Sequence, residues 1–111
     1  MPGQVFEDIN YGTGDVVLSE GEESTELYTL KEGHLSVFKG TEKVAEITES
    51  DSLVGEMSFF LGHRRSATIV AEAPSRLQRI TRDNIEEALQ EDTKLALRIA
   101  TSLSSKLQDT T

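Results

Sequence analysis

The apolar pattern of this chain changes period once, near residue 80, and that change restricts its fold more than any other feature. Before it, apolar residues come in short runs broken by glycine, serine and acidic residues at intervals of roughly 8–12 residues, the pattern of a sandwich, barrel or jelly roll. The runs are Val5-Phe6, Asp15–Leu18, Glu26–Lys31, His34–Lys39, Lys43–Thr48, Arg65–Ala71 and Arg76–Ile80. Gly33 sits between the third and fourth runs and predicts a hairpin there, since glycine supplies a positive φ without strain. A second turn is expected at Gly40-Thr41. After the change the spacing is helical. A helix is expected from Thr81 or Arg82, with Ile85, Ala88 and Leu89 on one face, and a break near Glu91-Asp92-Thr93. Asp92 or Thr93 is expected to cap a second helix. In that helix Leu95, Ile99, Leu103 and Leu107 recur every four residues, flanked by Ala96 and Ala100. The 111 residues fit one domain, with β structure over 1–80 and helices over 81–111.

Composition narrows the chemistry. A net charge of −9 disfavours direct gripping of nucleic acid by its phosphates. With no cysteine, disulfides and thiolate metal sites are excluded. No apolar run approaches the ~20 residues needed to span a bilayer, and no secretory leader is visible, so a cytoplasmic protein without a membrane partner is expected. His34 and His63 are the only histidines, and they are isolated, so no metal site is expected. No nucleophile elbow or phosphate-loop spacing occurs, which points to a non-enzyme. A cupin-type enzyme would need a histidine cluster that is lacking.

The stretch Gly55-Glu56-Met57-Ser58-Phe59-Phe60-Leu61-Gly62-His63-Arg64-Arg65-Ser66-Ala67-Thr68 carries the chemistry. It places an acid and an arginine nine residues apart around a short apolar run bounded by glycines. The expected structure is a strand end, one or two helical turns, a tight loop, and a strand from Arg65. Peptide N–H groups of Met57 and Ser58 at a helix start attract an anion. The Arg65 guanidinium adds a bidentate contact. Glu56 would repel a phosphate but accepts hydrogen bonds from hydroxyls. A ribose cyclic phosphate offers both groups at that separation.

This stretch resembles the phosphate-binding cassette of the cyclic nucleotide-binding domain family. Gly55, Glu56, Ser58, Arg65, Ser66, Ala67 and Thr68 match its pattern. Gly14-Asp15, Glu20-Gly21, Leu27-Tyr28, Leu30 and Gly33 also stand where the family has turns and strand positions, so the resemblance covers nearly the whole chain. It departs in two places: few residues precede the first strand, and Leu53-Val54 replaces a frequent aromatic before the Gly-Glu pair. The resemblance implies an antiparallel β-roll (double-stranded β-helix) with a short cassette helix and C-terminal helices. It implies a cyclic nucleotide as regulatory ligand, cAMP favoured over cGMP, and no other cofactor. Expected binding residues are Gly55, Glu56, Met57, Ser58, Arg65, Ser66, Ala67 and Thr68, with Leu95 or Ile99 as a lid over the base. Strict strand alternation sends Arg65 and Ser66 to opposite faces, so the strand should begin irregularly if both reach one ligand.

The expected output is movement of the last helix, read by an effector protein or domain not contained in this sequence, or by a mate in a homodimer formed through that helix. Two other readings are a ligand-free protein-interaction module on the same roll, and the sensor half of a transcription regulator. Bacterial regulators of this family continue into a helix-turn-helix. Retention of Glu56 and Arg65 argues against the first.

Overall fold

The computed structural model describes residues 6–109, with side chains described as far as Ser105; Val5 and the side chain of Leu107, both assigned above, lie outside the described residues. Among the described residues eight strands and three helices follow one another: β1 (Glu7–Tyr11), β2 (Val16–Leu18), β3 (Leu27–Glu32), β4 (Leu35–Lys39), β5 (Glu42–Ile47), β6 (Leu53–Val54), α1 (Glu56–Leu61), β7 (Thr68–Ala71), β8 (Ser75–Ile80), α2 (Ile85–Glu91) and α3 (Leu95–Asp109). The strands form two four-stranded antiparallel sheets, in the orders β1-β8-β3-β6 and β2-β7-β4-β5. This is a mainly β roll closed by C-terminal helices, as expected.

Strand alternation divides the interior in two. Tyr28 and Leu30 of β3 and Leu77 of β8 face the other sheet and pack with Leu18, Leu35, Val54, Ile69 and Ala71. Leu27 and Ile80 come from the same strands but point out of the roll. There they pack with Phe59 of α1, Ala88 of α2, and Leu95 and Ile99 of α3. The first core holds the sheets together, and the second seats the helices on the outer face of one sheet. Burying a Leu or Ile side chain contributes about 1.5–3 kcal/mol, so each core rests on several such residues.

The expected hairpin across Glu32-Gly33 does not form. β3 pairs with β6 and β8, and β4 pairs with β5 and β7, so the short link carries the chain from one sheet to the other. Gly33 is needed for a different reason. Its φ is 128°, and a Cβ there would lie 2.1 Å from Ser75 Oγ. The hairpin at Gly40-Thr41 does form, between β4 and β5.

Two boundaries also differ. The first described strand covers Glu7–Tyr11 and leaves out Phe6, because Ile9 and Tyr11 alternate with polar residues and pack against the inner core. The first C-terminal helix begins at Ile85, not at Thr81 or Arg82. Thr81 instead opens a turn in which its N–H donates to Asn84 Oδ1 (2.9 Å) and the Asn84 N–H donates to Thr81 O (3.2 Å). Asp92 does mark the helix break: its Oδ1 accepts from the Lys94 N–H at 3.1 Å, and its Oδ2 pairs with Arg98 at 2.7 Å.

Candidate binding site

The cassette folds as strand end, helix and loop. Gly55 follows β6 with φ 85°. Its carbonyl accepts the first bond of α1 from the Phe59 N–H (3.2 Å) and a second bond from Arg65 Nη1 (3.2 Å). A Cβ at Gly55 would sit 2.5 Å from that same Nη1 and 3.1 Å from Glu26 O. The glycine thus lets the guanidinium lie against its peptide. α1 ends at Gly62, whose N–H donates to Ser58 O at 3.1 Å.

The next strand begins at Thr68, three residues later than Arg65, so residues 65–67 are irregular. Their backbone is held by the turn after β2: the Arg65 N–H donates to Glu22 O (2.9 Å) and the Gly21 N–H to Arg65 O (2.8 Å). Thr68 Oγ1 accepts from the Glu20 N–H at 3.0 Å, which ties the strand start to the same turn.

Arg65 is buried, with 1% of its side chain exposed. Its Nε donates to Ser24 Oγ (3.0 Å) and its Nη2 to Glu26 O (2.8 Å). These acceptors and Gly55 O are neutral. A carboxylate, Glu26 Oε1, stands 3.8 Å from Nη2. Burial pushes the guanidinium pKa below its ordinary value, partly opposed by the nearby Tyr28, Glu26 and Glu22. Arginine keeps its proton even so. The result is a fixed cation, cut off from water and only partly compensated. Arg64, by contrast, is exposed and pairs with Glu23 on the surface.

Glu56, in the first turn of α1, is 1% exposed. Its Oε2 accepts a short hydrogen bond from the Ser102 hydroxyl of α3. Gly55, Glu56, Met57, Arg65, Ser66 and Ala67 all line one cavity of about 140 Å³, with Leu18, Val37, Ile47, Leu53, Val54 and Ile69 supplying its apolar part. Ile47, Leu53 and Glu56 also border a shallow trough of about 400 Å³, whose far side includes Ser102.

Six of the eight expected cassette residues therefore share one cavity. Ser58 and Thr68 lie outside its lining: Ser58 is buried in α1, and Thr68 has its hydroxyl turned to the β2 turn. Leu95 and Ile99 are not at the cavity mouth. Both are buried in the outer core beneath α3, because the every-fourth-residue stripe is the face that seats the helix. Among the described residues, Ser102 of α3 reaches Glu56, and the sequence reading missed it. A hydroxyl three positions after Ile99, beside an apolar stripe, was the available signal. Ser24 and Glu26 were missed as well. They meet Arg65 across 41 and 39 residues of sequence, and no local pattern encodes that.

The model of the cyclic nucleotide-binding domain family matches residues 8–92. This chain belongs to that family, whose domains are regulatory rather than catalytic. Over 71 residues it is 30% identical to a cGMP-dependent protein kinase of Eimeria tenella, covering 64% of this chain and 7% of the kinase. It is similar in fold to the catabolite activator protein of Thermus thermophilus, with TM-score 0.80 and 23% identity over 96% of this chain and 52% of that one. A cyclic nucleotide-binding domain from Methylobacillus flagellatus superposes with TM-score 0.78 and 23% identity, covering 95% and 64% of the two chains. The chain thus spans a small part of the kinase and about half of the activator. Among the described residues no helix is long and apolar enough to cross a membrane, and no group of three or more potential metal ligands is found.

Proposed function

We propose that this domain senses cAMP in preference to cGMP and relays occupancy by moving α3. The observation that carries the reading is the meeting of Glu56 and Arg65 on the wall of one cavity. A buried carboxylate suits hydroxyl donors, and a buried guanidinium with neutral acceptors suits an anion. A nucleoside cyclic phosphate supplies both. Glu56 takes the ribose 2′-hydroxyl and Arg65 the phosphate charge. The amide of Met57 adds a donor to the phosphate, with Gly55 allowing close approach and Ser66 and Ala67 completing the rim.

The domain acts without catalysis, in the cytoplasm, and passes its signal to an effector protein or domain or to a second copy through α3. No contact of its own with nucleic acid or membrane is invoked. The net charge of −9 supports this, since only a local cation such as Arg65 then holds a phosphate.

The base preference rests on Ser66, which is exposed beside Arg65. Threonine there would present a hydroxyl fixed by its β-branch toward a guanine amino group, whereas serine holds it less firmly. Competitive titration of cAMP and cGMP tests this on the parent and on Ser66→Thr. The parent should favour cAMP, and the variant should shift toward cGMP. A tenfold parent preference for cGMP would exclude the cAMP reading, and a variant with no gain for cGMP would remove the mechanism.

A further inference from the structure

The Glu56 carboxylate already holds an alcohol. One partner is the hydroxyl of Ser102, brought from α3 across 46 residues of sequence. The carboxylate is almost wholly shielded from water. A buried carboxylate needs donors, and an alcohol O–H is the same kind of donor that a ribose ring presents. The position is also suggestive, because Glu56 stands at the seam between the inner cavity and the outer trough, with Ser102 across it.

We propose that Ser102 is an internal occupant of the sugar subsite. Without ligand it fills the hydroxyl position at Glu56, and an incoming ribose displaces it by exchanging one alcohol for another. The inference rests on the cyclic nucleotide reading and adds a residue and a mechanism to it.

Two further observations support the exchange. The inner cavity of about 140 Å³ is smaller than the roughly 300 Å³ at which small-molecule pockets begin, so a nucleotide needs the trough side to open. And α3 is held unevenly. Its start is fixed by buried Leu95 and Ile99 and by the Arg98–Asp92 ion pair at 2.7 Å. One turn further on, Ser102 is only partly buried, and its hydroxyl is bound to Glu56. Losing that bond removes the tie of α3 at Ser102 while Leu95, Ile99 and Leu103 stay seated on the outer core. The exchange thereby couples occupancy of the sugar subsite to a defined part of α3.

The test is titration of the full chain with cAMP, using the parent, Ser102→Ala, Ser102→Thr, Glu56→Gln, and the Ser102→Ala/Glu56→Gln double variant. Removing a competing hydrogen bond to a carboxylate should tighten binding by Ser102→Ala about tenfold. Ser102→Thr keeps the hydroxyl and should stay within about threefold of the parent. In the Glu56→Gln background the alanine should bring less than about threefold, because the charged acceptor is gone. Hydrogen exchange without nucleotide gives a second readout: amides of residues 101–105 should exchange faster in Ser102→Ala than in the parent. If the parent binds and Ser102→Ala binds no more tightly, the proposal fails and the ligand reading stands. Weaker binding by Ser102→Ala would make Ser102 a ligand contact and overturn the occupant role. If neither the parent nor any variant binds, both fall together.

Discussion

Gly55, Arg65 and Glu56 are tied to the protein before any ligand arrives, with the Arg65 charge only partly compensated. Arg65 places three of its five N–H donors on Ser24, Gly55 O and Glu26 O, and Gly55 is the residue whose missing Cβ allows this. Arg65 therefore has a structural duty as well as its proposed role at the phosphate. Arg65→Ala should weaken cAMP binding by about 2–5 kcal/mol, because a buried phosphate is left unpaired. It should also lower stability by about 1–3 kcal/mol, since partly buried carbonyls lose their donor. Arg64→Ala should shift stability by less than about 1 kcal/mol, since its ion pair with Glu23 is exposed. Urea unfolding and nucleotide titration of the two variants measure both effects. Equal losses in binding from the two would refute the assignment of Arg65. At this scale the cassette was legible because its residues are close in sequence. Ser24, Glu26 and Ser102 were not, because only the tertiary fold brings them to Arg65 and Glu56.

At the scale of elements, the period change near residue 80 gave the order of strands and helices, but local pattern did not give strand partners. Glu32-Gly33 looks like a hairpin turn because a glycine separates two apolar runs, yet it is a crossing between sheets. The deciding fact lies elsewhere: β3 finds its partners in β6 and β8, the latter more than 40 residues away, and Gly33 must clear Ser75. The stripe Leu95, Ile99, Leu103 was legible as a helix face, but not which body it covers. It packs on the outer core, while Ser102 borders the trough and meets Glu56. The pairing of β1 and β3 with β8 has its own spectroscopic consequence. Burial pushes the Tyr11 phenol up to about 12, aided by the neighbouring Tyr28. Burial first, then Glu26, also raises Tyr28. Because the folded pKa values lie above the unfolded value, this contribution to stability is fully present below about pH 10 and is lost as pH rises through the folded values. Tyr11 and Tyr28 are the only tyrosines, so phenolate absorbance reports on them alone. The folded chain should ionise above the ~10 seen for the urea-unfolded chain. Coincident titrations of the folded and unfolded chains would contradict this packing.

On the scale of the whole molecule, the two cores separate two jobs. The inner core fixes the roll, and the outer core lets three helices rest on one face of it. The site lies where they meet: α1 brings Glu56, the irregular segment before β7 brings Arg65, and α3 closes over the carboxylate. In a molecule of net charge −9, the proposed phosphate would be drawn by a local cation, the buried Arg65 guanidinium, and not by the overall field. The central claim is that this chain binds a cyclic nucleotide between Glu56 and Arg65. Titration calorimetry of the parent with cAMP tests it most directly, with the Glu56→Gln/Arg65→Ala variant as control. The prediction is saturable binding of one nucleotide per chain, with Kd of about 10 μM or tighter, abolished in the variant. A parent that shows no saturable heat up to about 1 mM cAMP, or a variant that binds as the parent does, would contradict it.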